Sequence, residues 1–187
     1  MTSQIIRCPW CGTDPDYVKY HDEEWGKEVT DERVLFEFLL LESAQAGLSW
    51  LTILRRRAGY RAAFADFDYH QVATYTPKKI DELVLNPAII RHRGKIEAAV
   101  ATANVFLAIQ HEFGSFYAYL YNFIPAGRPI VNALDSFDNV PVTSPESDAI
   151  SKDLKKRGVK FFGSTICYAY MQAVGMVNDH LESCSFK

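Results

Sequence analysis

The sequence predicts an all-α protein, several short helices packed around an aromatic core. Three observations carry that expectation. Polar caps followed by prolines or acids recur before apolar residues at helical spacing, as at Thr76-Pro77 and Ser144-Pro145. One periodic run, Arg93 to Phe113, is long and ends at Gly114. The chain is 48% hydrophobic and 13% aromatic, with 10 Tyr and 12 Phe, enough to fill a core between helices.

In order, Cys8 to Gly26 is rich in turn formers and aromatics and reads as irregular, with a short helix around Asp16 to His21. Thr30 is the expected N-cap of a helix running towards Ala46, with Asp31 and Glu32 in its first turn and Leu35, Phe38 and Leu39 on its apolar face. Gly47 ends it, and Ser49 caps the next, which carries Trp50, Ile53 and Leu54. Gly59 is expected to break that run before a short helix from Tyr60 to Phe64. Thr76-Pro77 opens Lys78 to Leu85, and Asn86-Pro87 closes it. After the long helix, Ser115 opens a short one to about Phe123. Ile124 to Thr143 shows no period and reads as loop with short extended pieces.

The last helical pair is the most suggestive stretch. Ser144-Pro145 starts a helix into the basic run Lys155-Lys156-Arg157, and Gly158 is its expected left-handed cap. Gly163 then sits in a tight turn before Ile166, Ala169, Tyr170, Ala173 and Val174, which share one helix face. A helix, a glycine turn and a second helix can present backbone N–H groups to a phosphate. An ordinary helical hairpin with a solvated basic end would read the same.

The whole chain narrows the function. At 187 residues it is one domain, 1–187, and its net charge of −3 requires any nucleic-acid surface to be local. The N-terminus MTSQIIRCPWCG lacks the apolar stretch of a leader, and no run is long enough to span a membrane. Four cysteines without a secretion signal favour thiols or metal ligands over disulfides, so the expected compartment is the cytoplasm. No heptad seam is evident, and a monomer is expected.

Four constellations could carry chemistry. Cys8 and His21 lie near one end, His180 and Cys184 near the other, the latter pair at a spacing that suits one helix face. Together they supply the donors of a closed tetrahedral zinc shell; a competing set replaces His21 by Cys11. Glu42 follows three leucines, so burial would make it costly without a partner, which a cationic ligand could be. Trp10, Tyr17, Tyr20, Trp25 and Trp50 offer flat faces to a planar, electron-poor ring, although each alone is as readily core. Arg91-His92-Arg93-Gly94-Lys95 is a basic cluster at a helix start, able to meet phosphate or simply be solvated. No phosphate-loop or dinucleotide fingerprint is present.

YHDEEWG at 20–26, LESAQAGLSW at 41–50, IIRHRGK at 89–95 and KKRGVKFFGSTICYAYMQAVGMVNDH at 155–180, with Cys184, resemble the bacterial 3-methyladenine DNA glycosylase I family over nearly the whole chain. The resemblance implies a helix–hairpin–helix glycosylase bundle whose N- and C-terminal segments are joined by a structural Zn2+ on Cys8, His21, His180 and Cys184, with Cys11 a bystander. It implies base recognition by Glu42, with Tyr17, Tyr20, Trp50 and Trp25 around it, and backbone contacts to alkylated double-stranded DNA from Gly163, Ser164, Thr165, Arg93 and Lys95. FFGST stands here where the family often has FVGPT, which should loosen the turn. The implied reaction is hydrolysis of the N-glycosidic bond of N3-methyladenine, with 3-methylguanine open as a second substrate. Asp179 is expected to support the metal-bearing segment rather than activate water. A non-catalytic DNA-binding module and a zinc hydrolase are the competing readings.

Overall fold

A computed structural model describes residues 5–187; Met1 to Gln4, part of the segment inspected for a leader, lie outside the described residues. Ten α-helices account for most of these residues: α1 (Pro15–Glu23), α2 (Glu32–Gln45), α3 (Trp50–Leu54), α4 (Arg57–Ala63), α5 (Tyr69–Ala73), α6 (Pro77–Val84), α7 (Arg93–Phe113), α8 (Phe116–Tyr121), α9 (Pro145–Arg157) and α10 (Ser164–Ala173). The extended pieces expected in the loop amount to β1 (Ile130–Val131), paired in parallel with β2 (Val177–Asn178). No described helix is long and apolar enough to cross a membrane.

The caps explain most boundaries. Thr76 and Ser144 cap α6 and α9 as expected, Ser144 within a reciprocal capping box with Ser147. The cap of α2 is Asp31 rather than Thr30, because its carboxylate reaches the N–H groups of Arg33 and Val34 at 2.9 and 3.1 Å. Gly59 does not break a helix; it lies inside α4. A side chain there would stand 2.3 Å from the carbonyl oxygen of Ala88, so the glycine serves close packing.

α2 is buried on nearly every side, from Leu35 to Glu42, as expected of a central helix. α10 and α7 pack against it. Phe36 contacts Phe106, which stacks on Phe116 with centroids 4.3 Å apart. The buried face of α10 includes Tyr170, Ala173 and Val174 of the expected one but differs from it at the start of the helix. Cys167, Tyr170, Met171 and Val174 are buried, whereas Ile166 and Ala169 are half-exposed. Between α9 and α10 the left-handed residues are Gly158 (φ 110°) and Phe161 (φ 57°). Gly163 has an ordinary φ of −73° and caps α10, so its own conformation does not demand glycine.

Candidate functional site

Four helices and three intervening segments converge on a cavity of about 580 Å³. α1 supplies Tyr17 and Tyr20, the turn after it Trp25, α2 Glu42 and Gln45, and α3 Trp50. Trp10, α10 and the segment 137–142 close the remaining sides. The five site residues expected from sequence are therefore brought together. Tyr20 and Trp50 lie 5.4 Å apart and both rest on Phe38, while Trp10 stands edge-on to Tyr17 and Trp25.

Two features mark the cavity as more than core. Glu42 is 3% exposed, and no hydrogen bond to its carboxylate exists among the described residues. Desolvation alone pushes its pKa up to about 8. The indole N–H groups of Trp10 and Trp50 are likewise buried without a partner among the described residues. One ionisable acceptor and two donors around flat rings suit a planar ring that carries both positive charge and polar edges.

The opposite wall escaped the sequence reading. Tyr168 and Gln172, spaced i, i+4 on α10, both line the cavity and both donate to Asp179, at 2.8 and 2.7 Å. Asn132 on the loop after β1 gives that carboxylate a third hydrogen bond at 2.7 Å. Their i, i+4 spacing was legible, but nothing in one dimension distinguished a cavity wall from core.

Beside the cavity, the donor atoms of Cys8, His21, His180 and Cys184 all lie within 4.8 Å of one another, and all four residues are buried. His180 and Cys184 do not share a helix; a turn at Glu182–Ser183 brings them together, closed by the Cys184 N–H on the Leu181 carbonyl at 2.9 Å. Each imidazole is oriented by its outer nitrogen. His21 Nδ1 donates to Asp22 at 2.8 Å, and His180 Nε2 donates to the Trp25 carbonyl at 3.0 Å. Their inner nitrogens stand 3.6 and 3.4 Å from the Cys184 sulfur. Tetrahedral coordination at ordinary metal–sulfur and metal–nitrogen lengths places such atoms about 3.5 Å apart, so the residues fit a four-coordinate ion. Burial depresses both imidazole pKa values and pushes the Cys8 thiol up to about 12. Cys11 stays outside the cluster, its thiol on the Cys8 carbonyl at 3.2 Å.

The basic residues are less free than their sequence suggests. Arg93 pairs with Asp81 at 2.5 Å, and Lys95 donates to the carbonyls of Ala44 and Ala46. Ser164 bonds Ser147 and Asp148, while Thr165 is exposed at the cavity rim. Lys155, Lys156 and Lys160 are exposed beside the Gly158–Gly163 turn.

An aromatic cavity with a buried carboxylate, walled by helices next to a helical hairpin with exposed cations, defines a class: helical proteins whose pocket suits a flat, electron-poor ring. The chain belongs to the methyladenine glycosylase family, whose model matches residues 10–187. It is 45% identical over 178 residues to DNA-3-methyladenine glycosylase 1 of Escherichia coli K12, covering 95% of each chain. It is also 45% identical over 181 residues to DNA-3-methyladenine glycosylase of Haemophilus influenzae, covering 97% of each. A solved 3-methyladenine DNA glycosylase I from Staphylococcus aureus superposes with a TM-score of 0.93 at 38% identity, over 97% of this chain and 96% of that one. A solved variant in complex with 3-methyladenine is 37% identical, with a TM-score of 0.93 over 97% of each chain.

Proposed function

We propose that the chain is a base-excision glycosylase that hydrolyses the N-glycosidic bond of N3-methyladenine in alkylated DNA. The observation that carries this is Glu42, an unpartnered carboxylate buried in an aromatic cavity. N3 methylation makes the base cationic. A cation in the cavity offsets the burial of Glu42 and holds it ionised, whereas neutral adenine leaves that charge uncompensated. Flipping from the stack brings the base between the rings. When the bond from C1′ to the base breaks, its electron pair neutralises the base, which leaves without needing a strong acid. Water then adds to C1′ and releases a proton. Glu42 hydrogen-bonds the base edge and stabilises the developing sugar cation.

Asp179 fixes Tyr168 and Gln172 as the cavity wall rather than activating water, a role that its three hydrogen-bond donors support. Zinc suits the metal cluster, since two thiolates and two imidazoles complete a tetrahedral shell with no position left for substrate. That closed shell counts against a zinc hydrolase, and an ion held there would tie the N- and C-terminal segments together. The turn Gly158–Gly163, the N–H groups at the start of α10 and the neighbouring lysines hold the DNA backbone as a helix–hairpin–helix does. Arg93 joins them by exchanging its exposed Asp81 partner for phosphate. The protein works as a single cytoplasmic domain and a monomer.

The test is release of free base from methylated duplex DNA, resolved by chromatography, for wild type and Glu42→Ala. Release of 3-methyladenine by wild type, sharply reduced in the variant, supports the reading, and the same run reports 3-methylguanine. DNA binding without release by folded, metal-loaded protein replaces it with a non-catalytic module.

A further inference from the structure

Lys95 lies half-buried in the first turn of α7, and its ammonium pairs with no described carboxylate. Its Nζ donates to the carbonyls of Ala44 and Ala46, at 2.8 and 2.7 Å. These lie in the last turn and at the C-cap of α2, where the terminal carbonyls have no N–H donor within the helix. A cation there also complements the negative end of the helix dipole. On its other side the same Nζ faces the ring of exposed, left-handed Phe161, 6.0 Å from the centroid. No described carboxylate lies within ion-pair distance of Lys95, and desolvation lowers its pKa.

The turn that Lys95 grips connects the two sides of the cavity. Glu42 sits in the last full turn of α2. Beyond it Ala46 leaves the helix, Gln45 donates to the Leu48 carbonyl at 2.6 Å, and Ser49 caps α3 at Trp50. Any shift of the α2 terminus moves the carboxylate relative to the indole.

We infer that Lys95 is a positioning residue, a clamp on the end of α2 that sets Glu42 against Trp50 and ties the cavity to the Phe161 turn. This role rests on the proposed glycosylase function, and it differs from a phosphate contact. Lys95→Met keeps the apolar stem and removes the donors; Lys95→Arg restores charge and donors; Lys95→Gln covers the case in which the methionine variant does not fold. Free 3-methyladenine is titrated against each full-length protein by tryptophan fluorescence, below the melting temperature. Single-turnover excision and the salt dependence of DNA binding are measured in parallel.

Lys95→Met is expected to bind the free base roughly tenfold more weakly and to excise more slowly by a similar factor. Its DNA affinity and salt slope stay as in wild type, and Lys95→Arg recovers most of the loss. Wild-type base binding in Lys95→Met overturns the clamp. If DNA affinity then falls and the salt slope drops by about one charge, Lys95 is a phosphate contact. If only the melting temperature falls, its role is purely structural. A wild type that neither binds nor excises 3-methyladenine overturns the functional reading itself, and the clamp with it.

Discussion

At the scale of residues, Glu42 sets a pH dependence that can be measured without DNA. Its pKa is raised by burial from 4.5 to about 8 in the folded chain. The folded state therefore retains the proton more strongly, and the associated stability is complete below pH 4.5 and lost as pH rises through about 8. Glu42→Gln cannot ionise and escapes that loss. Its unfolding free energy, read by denaturant titration, is expected to gain on wild type steadily from pH 5 to 8, by up to about 1.4 kcal/mol per pH unit. A pH-independent difference would show that the carboxylate is not desolvated. The aromatics make a weaker residue-scale statement, because Tyr20 and Trp50 also rest on Phe38 and belong partly to the core. Trp50→Ala is expected to lose both stability and base binding, and Trp50→Phe to keep the former better than the latter, since an aromatic ring remains on Phe38 while the indole N–H and half of the stacking face are lost.

At the scale of elements, two glycines test close packing against intrinsic propensity. Gly59 lies within α4, where alanine would ordinarily gain about 1 kcal/mol. The clash with the Ala88 carbonyl reverses the sign, so Gly59→Ala is expected to melt at a lower temperature than wild type. Gly175 joins α10 to β2 at φ 68°, and a side chain there would stand 2.1 Å from the carbonyl carbon of Lys27. Gly175→Ala should destabilise by roughly 2–4 kcal/mol, read by denaturant titration. A neutral result for either would mean that the segments can separate. These two positions also show what was legible. Caps such as Ser49 and Ser144 act through neighbours in sequence and could be read there. Gly59 was misread as a helix breaker because its reason, a carbonyl on another segment, is invisible locally.

At the scale of the whole molecule, the cysteine–histidine cluster joins the ends of the chain. The Ser185 N–H donates to the Ile6 carbonyl and the Ile6 N–H to the Ser185 hydroxyl beside it, and Arg7 covers Phe186. A clip across so long a loop is worth roughly 5 kcal/mol by analogy with a disulfide. Chelation of the metal proposed for this cluster should lower stability by about that amount. Amide exchange should accelerate first at Ile6 and Ser185, while α2 and α7 remain protected. Uniform exchange throughout would indicate that the ion supports the core rather than the ends. The cluster also borders the cavity, because the Trp25 carbonyl accepts from His180 while its ring lines the pocket.

The sequence by itself determined the helical class, most helix ends and the residue types of the site, because caps, periodicity and donor chemistry are local properties. It also placed Glu42 among leucines, and so identified a carboxylate that burial would make costly. Only the tertiary structure decided which residues face the cavity. α10 buries Cys167 and Met171 where its period suggested Ile166 and Ala169, and it presents Tyr168 and Gln172 to the pocket. His180 and Cys184 meet through a turn instead of a helix face. Lys95 spends its charge on the end of α2, where its sequence neighbours suggested phosphate. In each case the outcome depends on a partner distant along the chain, and the free energy of burying a group is set by that partner, which no local pattern contains.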